Sequence, residues 1–304
     1  MLNNMTALVS CFARSYHTLN SNIKIYDDKY ARKMLSDDEY NNISLSMISG
    51  IEFFDSSYEG NNTLGFIVNN HLAPAVLARS SFNERHLNNE IRLGLSQYVI
   101  LGSGYDTSGY KVNDKVKVFG LDKEEMICDK KKRVLKGKID CSNVSYIECD
   151  FNNDNWMEIL KNTGFDSDKK TLWSMLGVSY YLDRDVFFET IKLLAENISS
   201  GSSIIFDYPT LEDDEDKIRK EVLAKAINED MKGRYSREEI LNVSRIEAIG
   251  DWSGRSATTM YAIKNNEIYT ITVESSSSGS QEDRIQRFLN EENLQSLRIW
   301  LVRA

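Results

Sequence analysis

The sequence predicts an α/β fold: a doubly wound, mostly parallel sheet with an antiparallel hairpin at its edge and a helical N-terminal cap. Three observations predict it. The first 95 residues carry helical periodicity and no convincing strand run. From residue 97 onward, short apolar runs ending in Gly or Asp alternate with helical stretches. Near the end, two β-rich runs are joined by a short polar turn.

Ala7, Leu8, Cys11, Phe12 and Ala13 fall at roughly helical spacing in residues 6–19, and Leu87, Ile91 and Leu95 repeat every four in 83–95. Only two prolines, Pro74 and Pro209, interrupt the chain, so long helices run with few breaks. The strand runs follow. Tyr98–Leu101 ends in Gly102-Ser103-Gly104, Val116–Leu121 in Asp122 and Ser145–Cys149 in Asp150. Thr171–Leu176 ends in Gly177 and Ser203–Phe206 in Asp207. Between the last two, Val186, Phe187, Ile191 and Leu194 share one helical face over 184–198. Parallel strands need crossovers, and ligands then lie at the carboxyl ends of the strands near the switch point.

Residues 212–230 are charged and helical in pattern, and Ser236-x-x-Glu239 is a capping box. Residues 257–263 and 267–273, joined by Lys264-Asn265-Asn266, make the expected hairpin. Ser275–Ser280 reads as a flexible linker. Beyond it Ile285, Phe288, Leu289, Leu294 and Leu297 fit an amphipathic helix, either a docking element of the protein itself or a fusion-derived tail. The chain therefore divides into a cap (1–95), a ligand-binding core (96–274) and a linker with terminal helix (275–304).

Composition excludes several classes. With 41% hydrophobic and 27% charged residues the chain is an ordinary globular protein rather than a disordered one. No apolar run approaches the ~20 residues that span a bilayer, and the N-terminus lacks the pattern of a secretory signal, so a cytoplasmic protein is expected. A net charge of −9 argues against nucleic acid and anionic membranes as partners. The one basic cluster, Lys130-Lys131-Lys132-Arg133, reads as a solvated helix face. Cys11, Cys128, Cys141 and Cys149 form no Cys-x-x-Cys pair, and His17, His71 and His86 lack ligand spacing, so no metal site is expected. Scattered cysteines in such a chain are expected to be reduced.

The site reads from the strand ends. Gly102 and Gly104, between a strand and an expected helix, let a ligand approach the backbone. A dinucleotide fingerprint needs a third small residue where this chain has Thr107, which loosens a pyrophosphate reading. Asp122 lies 122 − 102 = 20 residues on, near the offset at which a carboxylate meets a ribose diol. Asp150, followed by Phe151, ends the third strand, where a carboxylate can take the adenine amino group while a ring covers the base. Each Asp alone is commonly a solvated strand end. Their order at consecutive strand ends favours a nucleoside-type ligand and a Rossmann-like core.

These stretches resemble a known family. Ala78-Arg79-Ser80-Ser81-Phe82 and Gln97–Thr107 resemble the leucine carboxyl methyltransferase family, whose bacterial members carry a similar Arg and an "ILGAGLDT" strand-turn. Ile25–Ala31 resembles its "FDDPYA" segment, Ser174–Leu182 its fourth-strand motif and Ile205–Tyr208 its fifth. The likeness spans roughly residues 6 to 240. It implies a class I S-adenosylmethionine-dependent O-methyltransferase with a helical cap. In that reading Arg79 pairs with the methionine carboxylate of the cofactor, since a guanidinium fork suits a carboxylate. Gly102 and Gly104 take the methionine part, Asp122 the ribose, and Asp150 with Phe151 the adenine. Two departures stand out. Leu176 replaces a Glu common in the fourth-strand motif, so a backbone carbonyl there would hold the cofactor's ammonium. The segment 244–304 also replaces the usual closing region.

A carboxylate acceptor, of a small molecule or a peptide C-terminus, is ionised near neutral pH and needs no general base. No catalytic residue is then required beyond positioning. A hydroxyl acceptor would need a base, for which the three histidines, Tyr180 and Tyr181 are weak candidates, Tyr181 matching a family position. Two alternatives remain. An NAD-dependent oxidoreductase is disfavoured by Thr107, and a binding protein of this fold without turnover is kept open by Leu176 and the divergent end.

Overall fold

In the computed structural model, residues 5–209 are described except 198 and 200. Beyond them only the backbones of Ile246–Glu247, Ala257–Lys264, Glu267–Glu274 and Leu297–Arg303 are described, placed antiparallel beyond the last parallel strand. The expected hairpin remains an expectation, because its turn residues Asn265 and Asn266 lie outside the described residues. The helix at 212–230, the capping box Ser236–Glu239 and the linker lie outside them too, as does the terminal helix except for its Leu297, which falls within the strand backbone Leu297–Arg303.

The cap comprises α1 (Met5–Asn20), α2 (Ala31–Met34), α3 (Asp37–Ser49), α4 (Ile51–Phe54), α5 (Thr63–Ile67) and α6 (Ala73–Arg92), with a π-helical turn at Val68–Leu72 joining the last two. Ser36 starts α3 with a capping box, its hydroxyl accepting from the Glu39 N–H while Glu39 reaches back to the Ser36 N–H. Pro74 sits in the first turn of α6, where a missing donor costs nothing.

The sheet is built from β1 (Gln97–Leu101), β2 (Lys117–Asp122), β3 (Val144–Glu148), β4 (Thr171–Met175) and β5 (Ser203–Pro209), all parallel, in the order β3-β2-β1-β4-β5. The order reverses between β1 and β4, the switch point where ligands of doubly wound sheets sit. α7 (Glu124–Lys136), α8 (Trp156–Lys161) and α9 (Arg184–Asn197) follow β2, β3 and β4. β1 and β4 are buried along their whole length, as a strand covered on both faces must be.

One expectation is corrected. No α-helix follows the glycine pair: Gly102 to Thr107 is a loop that leads only to a 3₁₀ turn at Ser108–Lys111. The cap supplies the missing cover. Tyr105, Tyr110, Val134 and Ile139 pack in one apolar cluster with Phe12, Met34, Ile67 and Leu77. A second cluster, around Trp173, Phe187 and Phe206, fills the other face of the sheet.

Candidate functional site

The glycine turn is fixed by its surroundings. Gly102 and Gly104 adopt φ of +67° and +35°, values that side-chain-bearing residues rarely take. A Cβ on Gly102 would lie 2.3 Å from Val178 in the loop after β4, so the turn and that loop are in contact. A Cβ on Gly104 would meet nothing nearer than Ala7 at 3.7 Å. The Gly104 N–H donates to Asp122 Oδ2 at 2.7 Å, and the Lys123 N–H to Asp122 Oδ1 at 2.8 Å. Adjacent strand tips are thus joined through one carboxylate. Burial pushes the Asp122 carboxyl up, against the two N–H donors and the charges of Lys130 and Lys123.

Beneath the turn lies a buried clamp from the cap. Arg14 Nε reaches Asp28 Oδ2 at 2.8 Å and Arg14 Nη2 the Tyr105 carbonyl at 2.7 Å. The Thr107 hydroxyl donates to the same Asp28 oxygen at 2.7 Å. Asp28 Oδ1 accepts from the N–H groups of Tyr30 and Ala31. Burial opposes the Asp28 carboxylate, but Arg14, Thr107 and Lys111 outweigh it and hold its carboxyl below the usual range. Thr107, where a third glycine would stand, is therefore a tie to the cap. With no helix N-terminus behind the turn, the anion-binding feature of dinucleotide folds is missing too.

At the next strand end, Asp150 Oδ1 accepts from the Asn152 N–H at 3.0 Å, and Lys123 Nζ lies 3.5 Å from Oδ2. Burial works against this carboxylate, and the Asn152 N–H and Lys123 reverse it, leaving the carboxyl below its usual range. Phe151 packs edge-on against Trp156, ring centroids 6.0 Å apart. Asp122 and Asp150 are brought to neighbouring strand ends, the Cys149 N–H bonding the Asp122 carbonyl. The Cys149 thiol is pushed up to about 12 by burial and by the carboxylates around it, so it stays protonated.

Arg79 reaches the site from α6. Its Nη1 lies 3.4 Å from Asp207 Oδ2 and its Nη2 3.4 Å from the Ser10 hydroxyl, both long contacts. Asp207, fully buried at β5, also accepts from the Gly177 N–H at 2.6 Å. A Cβ on Gly177 would come 3.0 Å from the Arg79 guanidinium carbon, which packs over that turn. Leu176, half-buried, packs with the cluster of Phe82 and Tyr98. Tyr181, also half-buried, has its ring 6.4 Å from that of Tyr180.

The histidines serve the cap. His17 Nε2 accepts from the Ile25 N–H at 2.9 Å and Nδ1 lies 2.9 Å from the Ser21 hydroxyl; burial lowers its pKa to about 4. His71 packs near Phe54 and Phe66, and His86 against Phe82.

Sequence reasoning missed Arg14, Asp28, Lys130 and Asp207. Asp207 shares the strand-end pattern of Asp122 and could have been found by it. The reading of Lys130–Arg133 as a solvated face is corrected. Lys130 is only 2% exposed, its Nζ donating to the Ser103 carbonyl at 2.9 Å. Arg133 grips Glu39, the Met34 carbonyl and Asp129. Only Lys131 and Lys132 face solvent. A surface cleft of about 710 Å³ between α2, the start of α3 and α7 is lined by none of these strand-end residues; its Arg133, Glu39 and Asp129 already satisfy one another.

Comparison with known proteins follows this geometry. A family model described as leucine carboxyl methyltransferase matches residues 7–195. A Bacillus subtilis (strain 168) protein named as an S-adenosyl-L-methionine-dependent methyltransferase, YktD, is 32% identical over 252 residues, 78% of this chain and 83% of that one. A similarly named Mycobacteroides abscessus protein is 23% identical over 202 residues, 65% of each chain. Among solved structures, a Thermobifida fusca YX protein described as a methyltransferase superposes with a TM-score of 0.52 at 14% identity, covering 96% of this chain and 93% of that one, and it shares the fold.

Proposed function

The chain belongs to the leucine carboxyl methyltransferase family and is an S-adenosylmethionine-dependent methyltransferase; from that premise we propose that it methylates a carboxylate oxygen of a small molecule or a peptide C-terminus. The observation that carries the site assignment is the Gly104 N–H to Asp122 contact of 2.7 Å behind a turn with left-handed glycines. It sets Gly104, where a Cβ would meet nothing nearer than 3.7 Å, beside a held carboxylate, and that space would take the methionine and ribose parts of the donor. When bound, S-adenosylmethionine supplies a methyl group on a sulfonium that leaves as a neutral thioether once an acceptor oxygen attacks the methyl carbon.

The residues of this chain do the rest by holding and excluding. Asp122 would accept the two ribose hydroxyls. Asp150, backed by Lys123 and flanked by Phe151, would hold the adenine. Arg79, held only by long contacts, would offer its fork to the methionine carboxylate, with Gly102, Gly104 and the Leu176 carbonyl around the ammonium. The cap cluster packs against Tyr105 on one side of the turn, and a poorly solvated pocket there would favour joining a carboxylate to a cationic donor. The acceptor reading is supported by the histidines: all three belong to cap helices, and His17 is held neutral. An acceptor that is ionised without help suits such a site.

Two experiments test this. Calorimetric titration with S-adenosylhomocysteine should show binding to the protein and a large loss for Asp122→Ala; equal affinity removes the ribose assignment. Methyl-labelled donor with a panel of carboxylic acids and peptides should give label that mild base releases as methanol. Base-stable label on hydroxyl compounds would replace the carboxylate reading with an ether-forming one.

A further inference from the structure

Lys130 is a cation in the wrong place for a surface helix. It lies on α7, eight residues past Asp122, with its ammonium directed under the glycine turn. The side chain is essentially buried, and the one hydrogen bond it makes to the turn goes to the Ser103 carbonyl, between the two glycines, at 2.9 Å. The groups within its electrostatic reach come from every neighbouring element. Asp106 lies in the turn and Asp122 at the tip of β2; Arg14 and Cys11 are on α1, and the Tyr110 ring lies 5.8 Å from the ammonium. Arg14 is already committed to Asp28 and the Tyr105 carbonyl. The Cys11 thiol is pushed up to about 12 by burial and carries no charge.

A buried ammonium with no carboxylate in direct contact among the described residues is costly. What it offers in return is local. Its hydrogen bond, beside that of the Asp106 N–H to the same carbonyl at 2.8 Å, fixes the Ser103 peptide and so the glycines on either side. Its charge acts on Asp122, whose other charged neighbour, Lys123, is exposed to solvent. A carboxylate that accepts ribose hydroxyls must be ionised, and burial acts against that at Asp122.

We propose that Lys130 is a positioning residue for the cofactor, which orients the glycine turn through the Ser103 carbonyl and keeps Asp122 ionised as the ribose acceptor. The proposal rests on the assignment of Asp122 made above. Burial lowers the Lys130 pKa to about 8, with Asp106 and Asp122 resisting, so its charge is present at neutral pH and lost in the alkaline range. Cofactor affinity should therefore fall on both sides of neutrality: in acid as Asp122 takes a proton, and in alkali as Lys130 gives one up.

The test is calorimetric titration of S-adenosylhomocysteine across the pH range, on the native chain, Lys130→Gln, Lys130→Met and Asp122→Asn. The native chain should lose affinity above about pH 8. Both Lys130 variants should bind about tenfold more weakly at neutral pH, lack the alkaline limb and show an acid midpoint shifted upward. Lys130→Gln keeps a donor for Ser103, so it should bind better than Lys130→Met while showing the same shift. A merely structural lysine would lower affinity without moving the midpoint, and that outcome overturns the proposal. So does a native profile that stays flat through the alkaline range, a measurement that needs no variant to fold. Asp122→Asn separates the two readings. If it binds as well as the native chain, the ribose assignment fails; if it binds weakly at every pH while Lys130→Met keeps the native midpoint, only the role of Lys130 fails.

Discussion

Under the glycine turn, the Asp28 carboxylate is fully buried and takes Arg14, Thr107 and two backbone N–H groups. At the tip of β3, the Asp150 side chain is 30% exposed, and its one cationic neighbour, Lys123, is 63% exposed. Asp28 lies between α1 and α2 and ties the cap to the glycine turn, whereas Asp150 follows β3. The first is part of the folded scaffold, and its partners are all supplied by the chain. The second is held by its own loop and by one exposed lysine. The glycine-turn end of the candidate site is thus tied together by the join between cap and sheet, and the Asp150 end is held by its own loop.

Replacing Asp28 with Ala tests the prebuilt half most severely. It strands the Arg14 charge in the interior, a loss of about 3–5 kcal/mol for a broken buried pair. Denaturant unfolding should show that loss, and S-adenosylhomocysteine binding should vanish with it. Binding that survives in a destabilised Asp28→Ala would show that the clamp supports the fold but not the turn.

Asp122→Ala comes next. Charge-assisted hydrogen bonds contribute about 1.5–3 kcal/mol, so cofactor affinity should fall by about ten- to a hundredfold. The effect on unfolding should be smaller than that of Asp28→Ala.

Acid titration sharpens the comparison further. His17 has a folded pKa of about 4 against an ordinary 6.5, so the stability it lends is complete above pH 6.5 and drains away as the pH falls toward 4. Glu39, held at about 2 first by its hydrogen bonds to Arg133, adds stability that is complete above 4.5 and lost as the pH falls to about 2. Melting temperature should therefore decline in two stages, and His17→Gln should remove the earlier one.

The smallest expected change is at the exposed end. Asp150→Ala should leave the melting temperature nearly unmoved, because exposed ion pairs contribute about 0–1 kcal/mol. Its cofactor affinity should fall only a few-fold. A loss equal to that of Asp122→Ala would erase the distinction between the two halves.

The same division governs what could be read from the chain. The five parallel strands are legible because each is a short apolar run closed by Gly or Asp, and the tips that hold Gly102, Gly104, Asp122 and Asp150 come with them. The clamp is not legible, because its bonds join residues far apart in sequence: Arg14 to Tyr105 across 91 positions, Thr107 to Asp28 across 79 and Arg79 to Asp207 across 128. Nothing local marks Arg14 or its tie to the turn, whereas Asp207 stands at a strand end and could have been marked by it. Lys130 was misread for a related reason: a run of four basic residues looks uniform, while a helix turns each of them toward different surroundings. The helix expected after the glycines failed because a cap was able to take over its covering role.

That substitution of cap for helix limits how this protein can be dissected. Tyr105 and Tyr110 rest on Phe12, Met34 and Leu77 of the cap together with Val134 of α7. A fragment trimmed to the nucleoside-binding half would carry a bald, sticky flank, and the amputated helices would lose the surface on which they fold. The two halves have to be inherited, expressed and engineered as a single piece.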